Sequence, residues 1–200
     1  PRSVSLANLR VITGKAKGQT LKSVPGDITR PIMDRAKESL FNIIGADIRE
    51  STMLDLFGGT GSVGIEALSR GAKFVRFVDR HHVAVRTIKE NLKSTRLGED
   101  AEVFHADAFD LLKQEADRRF DYVYIAPPQY KHIWGRALRE VDARPGWLTD
   151  YAWVIVQIDP VEYERVRLKN LQEFDQRQYG STLLVFYILP PRDEPGGTAP

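Results

Sequence analysis

The sequence contains no cysteine. That excludes disulfides, thiolate zinc sites and a cysteine nucleophile, and it fits a reducing, cytoplasmic setting. No apolar run approaches the ~20 residues that a membrane-spanning helix needs. The opening Pro1-Arg2-Ser3-Val4-Ser5 lacks the apolar core of a secretory leader, so a non-secreted protein is expected. Histidine is scarce, with four in 200 residues. His81 and His82 are adjacent and point to different sides of a helix, and His105 and His132 are isolated, so no metal site is expected. There is no internal repeat. Hydrophobic residues make up 42% and charged residues 28%, an ordinary globular balance in a chain long enough for one domain with a sizeable core.

The net charge is only +2, yet it is unevenly placed. Residues 1–37 carry Arg2, Arg10, Lys15, Lys17, Lys22, Arg30, Arg35 and Lys37 against Asp27 and Asp34, a net of +6; the remainder carries −4. A basic segment on a mildly acidic body is either a solvated surface or a footprint for a phosphate backbone.

Along the chain, Leu9–Ile12 and Thr20–Lys22 flank Gly14 and Gly18 and predict a hairpin with a basic turn. A helix should follow, with Asp34 as its N-cap and Leu40, Phe41 and Ile44 on one face. Strands and helices then alternate. Strands are predicted at 52–57, 74–78, 101–104, 121–125 and 152–156, and two late ones at about 173–179 and 182–189. Helices are predicted from Ser62 to Arg70 before Gly71, around Val85, Ile88 and Leu92, at Phe109–Leu112, and around Trp134, Leu138 and Val141. Such βα repetition implies a parallel sheet with helices on both faces. The closing antiparallel hairpin is unusual for a plain dinucleotide-binding fold.

The segment Leu54-Asp55-Leu56-Phe57-Gly58-Gly59-Thr60-Gly61-Ser62-Val63-Gly64 carries most of the chemistry. A strand runs into a glycine-rich turn where a helix begins. Read literally, Gly59 to Gly64 is the dinucleotide fingerprint, with Asp79 twenty residues after Gly59. Two features point away from NAD. Asp55 lies inside a strand that such sites keep apolar, and it suits a ligand with an ammonium group. Asp79 and Asp107-Ala108 follow later strands, where ligands of open α/β sheets bind. Each of these two acids is either a helix N-cap or a ligand acceptor.

This arrangement resembles the class I S-adenosylmethionine-dependent methyltransferases. The resemblance implies a Rossmann-like α/β domain whose mostly parallel seven-stranded sheet has an antiparallel last strand, with S-adenosyl-L-methionine as cofactor. Asp55 and the Gly59-Thr60-Gly61 loop would lie at its methionine part, Asp79 at the ribose and Asp107-Ala108 at the adenine, with Phe57 and Arg80 beside them. At Tyr124-Ile125-Ala126-Pro127-Pro128-Gln129-Tyr130, methyltransferases of planar amines carry Asp/Asn-Pro-Pro-aromatic. That motif offers acceptors to the amine N–H groups and a ring to stack on the base. Here Ala126 replaces the acid or amide, and Gln129 takes the aromatic position with Tyr130 one residue later. Ala126, Pro127, Pro128 and Tyr130 are therefore the candidate catalytic residues, through backbone carbonyls and stacking.

Leu9–Gly14, Lys17-Gly18, Arg30–Asn42, Leu54–Ala72 and Tyr179–Thr182 together resemble bacterial 16S ribosomal RNA (guanine-N2)-methyltransferases. That likeness implies methyl transfer to the exocyclic amine of a guanine in the small subunit or its assembly intermediate. Arg10, Lys15, Lys17, Arg30 and Arg35 would contact RNA, and the protein would act as a monomer. The expected organisation is a basic extension over residues 1–50, a methyltransferase domain over 51–189 and a disordered tail from Pro190. The rivals are an NAD-dependent oxidoreductase, a non-catalytic RNA-binding factor that has lost the motif's side chain, and a methyltransferase of adenine or of a protein amide.

Overall fold

Short apolar runs bounded by turns cannot bury themselves as isolated strands, and the amphipathic segments between them supply the cover. The structure, a computed structural model, describes residues 9–26, 32–129 and 132–191. Its elements are α1 (Asp34–Ile44), β1 (Thr52–Asp55), α2 (Ser62–Ser69), β2 (Phe74–Asp79), α3 (His82–Thr95), β3 (Ala101–His105), α4 (Ala108–Lys113), β4 (Phe120–Ile125), α5 (Ile133–Asp142), β5 (Leu148–Ile158), β6 (Gln172–Tyr179) and β7 (Thr182–Ile188). The seven-stranded sheet has the order β3-β2-β1-β4-β5-β7-β6. β1 to β5 are parallel, and β7 runs antiparallel to both β5 and β6. The order reverses between β1 and β4, which opens a crevice at the carboxyl ends of those strands.

Side-chain alternation divides the core between the two faces of the sheet. Met53, Tyr124, Ile155 and Phe186 face α1, α2 and α3, whereas Leu54, Val123, Val154 and Val185 face α4 and α5. The edge strand β6 is polar and largely exposed, and its pairing with β7 shifts between Glu173 and Asp175. That bulge turns Phe174 onto Trp153, with ring centroids 4.9 Å apart.

The hairpin expected at Leu9–Lys22 is present but short: Leu21 N–H donates to the Leu9 carbonyl at 2.7 Å and Val11 N–H to the Gln19 carbonyl at 2.9 Å, around the bridge of Arg10 with Thr20. Its turn is held on the end of α2: Lys15 N–H donates to the Ser69 carbonyl at 2.8 Å, and Ala16 N–H donates to Ser69 Oγ at 2.9 Å. Two other local expectations need correction. Asp34 is the first residue of α1 and not its cap; the N-cap is Met33, and the Asp34 carboxylate accepts from Arg10 Nε at 2.8 Å. β1 ends at Asp55, short of Phe57, because the glycine turn already bends the chain there. Of the tail expected from Pro190, residues 192–200 lie outside the described residues.

Gly64 sits where α2 presses on β2. A Cβ there would lie 2.2 Å from Phe77 Cε1, in a ring with no exposed surface. Gly64→Ala is expected to destabilise the fold by roughly 1–3 kcal/mol through overpacking, despite alanine's better helix propensity. A thermal melt should fall by several degrees; an unchanged midpoint would show slack between α2 and β2.

Candidate active site

A cavity of about 560 Å³ opens at the carboxyl edge of the sheet, a volume ordinary for a small-molecule site. Asp55, Phe57, Gly59, Thr60, Asp79, Arg80, Asp107 and Ala108 line it, together with Ala126, Pro127 and Pro128. Cofactor and acceptor residues expected from sequence thus share one chamber. Gly61 is not in the lining but shapes it: at φ +78° it is the N-cap of α2, a conformation that glycine adopts without strain.

Asp55, the last residue of β1, is 2% exposed, and its Oδ1 has no hydrogen-bond partner. The Phe57 N–H donates to its carboxylate. Burial and, second, the nearby Asp79 charge push its pKa up to about 7. A buried carboxylate oxygen without a partner is costly in the free protein. It is well matched to a cationic donor.

Asp79 ends β2 and ties the loop. Its Oδ2 accepts from Gly59 N–H at 3.0 Å, and its Oδ1 accepts from His81 N–H at 2.8 Å. It does not cap α3, whose N-cap is His81. Asn91 on α3 holds the same loop from below, donating to the Thr60 carbonyl at 2.9 Å. Asp107 does cap α4, accepting from Phe109 N–H at 2.8 Å, while lining the cavity. The three carboxylates therefore end or follow β1, β2 and β3 in turn, around the glycine loop.

Ala126, Pro127, Pro128 and Gln129 follow β4 as a half-buried stretch on the cavity wall. Tyr130 lies outside the described residues. Arg10, Lys15, Lys17 and Arg35 are exposed and outside the cavity lining; Arg35 follows two residues after Met33, which lines it. Arg30 lies outside the described residues. Lys37, part of the basic segment, is fully buried and points inward.

Several lining residues escaped sequence reasoning: Ile32 and Met33 before α1, Tyr124 on β4, Gln157 on β5 and Thr182 on β7. Gln157 had a usable signal, as the polar residue ending the run Val154-Ile155-Val156 at the ligand-binding end of a parallel strand. The exposed face of α3 was also missed. Arg86, Lys89 and Lys93 line a groove there, and Lys22 from the N-terminal segment reaches Glu90 at its side.

An open sheet in this order, with an antiparallel strand inserted beside β5 and acids following β1, β2 and β3, defines a class I methyltransferase fold. Residues 9–188 match the family described as "Conserved hypothetical protein 95", and the chain belongs to it. It is 40% identical over 181 residues to "Putative rRNA methyltransferase YlbH" of Bacillus subtilis, a match covering 90% of this chain and 98% of that one. It is 35% identical over 153 residues to "Ribosomal RNA small subunit methyltransferase D" of Haemophilus influenzae, covering 76% and 79%. Among solved structures, "Putative methyltransferase yhhF" of Escherichia coli superposes with a TM-score of 0.81 at 26% identity, covering 92% of this chain and 98% of that one.

Proposed function

We propose that the chain transfers a methyl group from S-adenosylmethionine to the exocyclic N2 amine of a guanine in 16S ribosomal RNA of the small subunit. The observation that carries the cofactor assignment is the buried, unpartnered Oδ1 of Asp55 at the edge of the glycine loop. When bound, S-adenosylmethionine supplies a methyl on a sulfonium, an electrophile needing no further activation. Asp55 receives the ammonium, Asp79 the ribose hydroxyls, and Asp107 and Ala108 the adenine. Phe57, Thr60 and Arg80 complete the walls. The carbonyls of Ala126 and Pro127 accept from the target amine, and its proton leaves to water. The small-subunit RNA follows the names of the relatives. The basic extension at residues 1–50 docks on that RNA through Lys15, Lys17 and Arg35, and Arg10 acts more weakly because Asp34 already holds it.

Transfer of labelled methyl to small subunits lacking the modification, followed by mapping of the labelled nucleotide, tests the reaction. Label on guanine N2 is expected; label on adenine or on protein would redirect the acceptor. Ala126 favours one other reading, a binding factor without catalysis. Tight particle binding with no label at any enzyme concentration would decide for that reading. Neutralising Lys15, Lys17 and Arg35 should flatten the dependence of log K on log salt by about 2–3, at roughly 0.7–0.9 for each phosphate that the protein no longer neutralises.

Cofactor affinity should depend on pH in one direction. The ammonium pairs with the Asp55 carboxylate, but the free protein holds that carboxyl protonated below about 7. S-adenosylhomocysteine binding should therefore weaken roughly tenfold per pH unit below 7 and level off above it. Calorimetry in buffers of differing ionisation enthalpy should show a proton released on binding below pH 7. Asp55→Asn should bind weakly with a flat profile, and a pH-independent wild type would remove Asp55 from the ammonium site.

A further inference from the structure

Position 126 presents a methyl group where amine methyltransferases of this kind carry a polar side chain. The missing contact has a neighbour able to supply it. In the parallel β4–β5 pair Ile125 lies opposite Val156, so the next residues, Ala126 and Gln157, come side by side at the carboxyl edge. Alternation puts Tyr124, Ala126, Ile155 and Gln157 on one face of the sheet. Gln157 is half-buried and lines the cavity with Ala126 and Pro127. On its other side it pairs with Leu184 of β7, so a central strand fixes its backbone. The buried Tyr124 hydroxyl donates to Gln157 Oε1. That bond fixes the amide plane and leaves Nε2 as the free end, which has no hydrogen-bond partner among the described residues.

We propose that Gln157 is the side chain that positions the target base, in place of the residue missing at position 126. This assignment rests on the methyltransferase reading above. With Oε1 held by Tyr124, Gln157 presents a donor and not an acceptor. It complements a heterocycle whose amine is flanked by a ring nitrogen, N3 in guanine. Nε2 donates to that nitrogen, and the carbonyls of Ala126 and Pro127 accept from the amine. The base is gripped by an acceptor–donor pair from adjacent strand ends, so register alone sets the spacing. A bare amine without the neighbouring ring acceptor would lose half of the grip.

Single-turnover methyl transfer to small subunits lacking the modification tests this, with particle affinity and S-adenosylhomocysteine affinity measured alongside. Gln157→Ala should lower the rate at saturating particle roughly ten- to a hundredfold, the scale of one hydrogen bond to a buried polar group left unmade. Both affinities should be preserved, and the melting midpoint should fall by only a few degrees as the buried Tyr124 hydroxyl loses its acceptor. Gln157→Glu keeps the shape, exchanges the donor for an acceptor, and should be as slow. Tyr124→Phe keeps the ring, frees the amide to rotate, and should be several-fold slower. Adding Ala126→Asn to Gln157→Ala should recover part of the loss. A Gln157→Ala rate equal to wild type, or a Gln157→Glu rate above it, overturns this assignment while leaving the methyltransferase reading intact. Wild type that binds S-adenosylhomocysteine yet transfers nothing overturns both.

Discussion

Glu66→Ala is expected to lower the unfolding free energy by about 3–5 kcal/mol, the range for breaking a buried ion pair by removing one partner. Glu66, on α2, has no exposed surface. Its carboxylate accepts from Ile12 N–H at 2.9 Å, Thr13 N–H at 3.1 Å and Arg70 Nε at 2.9 Å, and it faces Lys37 Nζ at 3.7 Å. Lys37, equally buried, donates to the Arg10 carbonyl and to Ser62 Oγ. Burial lowers the Lys37 pKa, and Glu66 is the largest of the influences opposing that shift. Removing the carboxylate leaves a buried ammonium without its counter-charge and two backbone amides without an acceptor. A melt should move down by roughly 10 °C, at ~2–4 °C per kcal/mol for a chain of this size. Replacing Lys37 and Glu66 together by apolar residues should not restore the loss, because the amides of Ile12 and Thr13 stay unpaired. Hydrogen exchange should show residues 9–21 opening first. A loss below ~1 kcal/mol would mean that water replaces the carboxylate.

Asp79→Ala is expected to weaken S-adenosylhomocysteine binding by about 3 kcal/mol, more than a hundredfold. Two effects add. On the proposed placement of the cofactor, the ribose hydroxyls lose a charged acceptor, worth roughly 1.5–3 kcal/mol in a hydrogen bond. The glycine loop also loses its tether, since Asp79 holds the amides of Gly59 and His81 together across the cavity floor. Asp79→Asn retains one acceptor oxygen and should fall between wild type and alanine. Removing Asp79 also takes away a charge that raises the Asp55 pKa, so the pH midpoint of whatever binding remains should shift downward. Calorimetry across pH reads both effects. A tenfold loss or less would place the ribose elsewhere.

The alternation of strands and helices was legible because burial imposes a period on sequence, and the glycine loop because few residues tolerate its backbone. Asp55 stood out as an acid inside an apolar strand. Asp79 and Asp107 were each ambiguous between capping and binding; the structure makes Asp107 a cap that also faces the cavity, and Asp79 a loop tether. Gln157 and Tyr124 were not found, since their contact at the cavity depends on β4 and β5 lying side by side, a pairing across more than thirty residues. The hairpin expected at Leu9–Lys22 was legible from its local turn signals, and its arms pair through Leu9, Val11, Gln19 and Leu21. Its docking was not legible, because Ser69, which holds the turn at Thr13, Lys15 and Ala16, lies far along the chain.

The polar edge strand has a consequence for how the molecule behaves in a crowded solution. A parallel sheet that stopped at β5 would expose a long apolar rim of unpaired amides and carbonyls, a template for strands of other chains. Here the chain folds back twice. β7, apolar and buried, closes that rim, and β6 forms the new one with Glu173, Asp175, Gln176 and Arg177 and a bulge in its pairing. Charges of both signs and a locally broken register make β6 a poor surface for another strand to extend. The hairpin that distinguishes this fold from a plain nucleotide-binding sheet thus also guards it against aggregation.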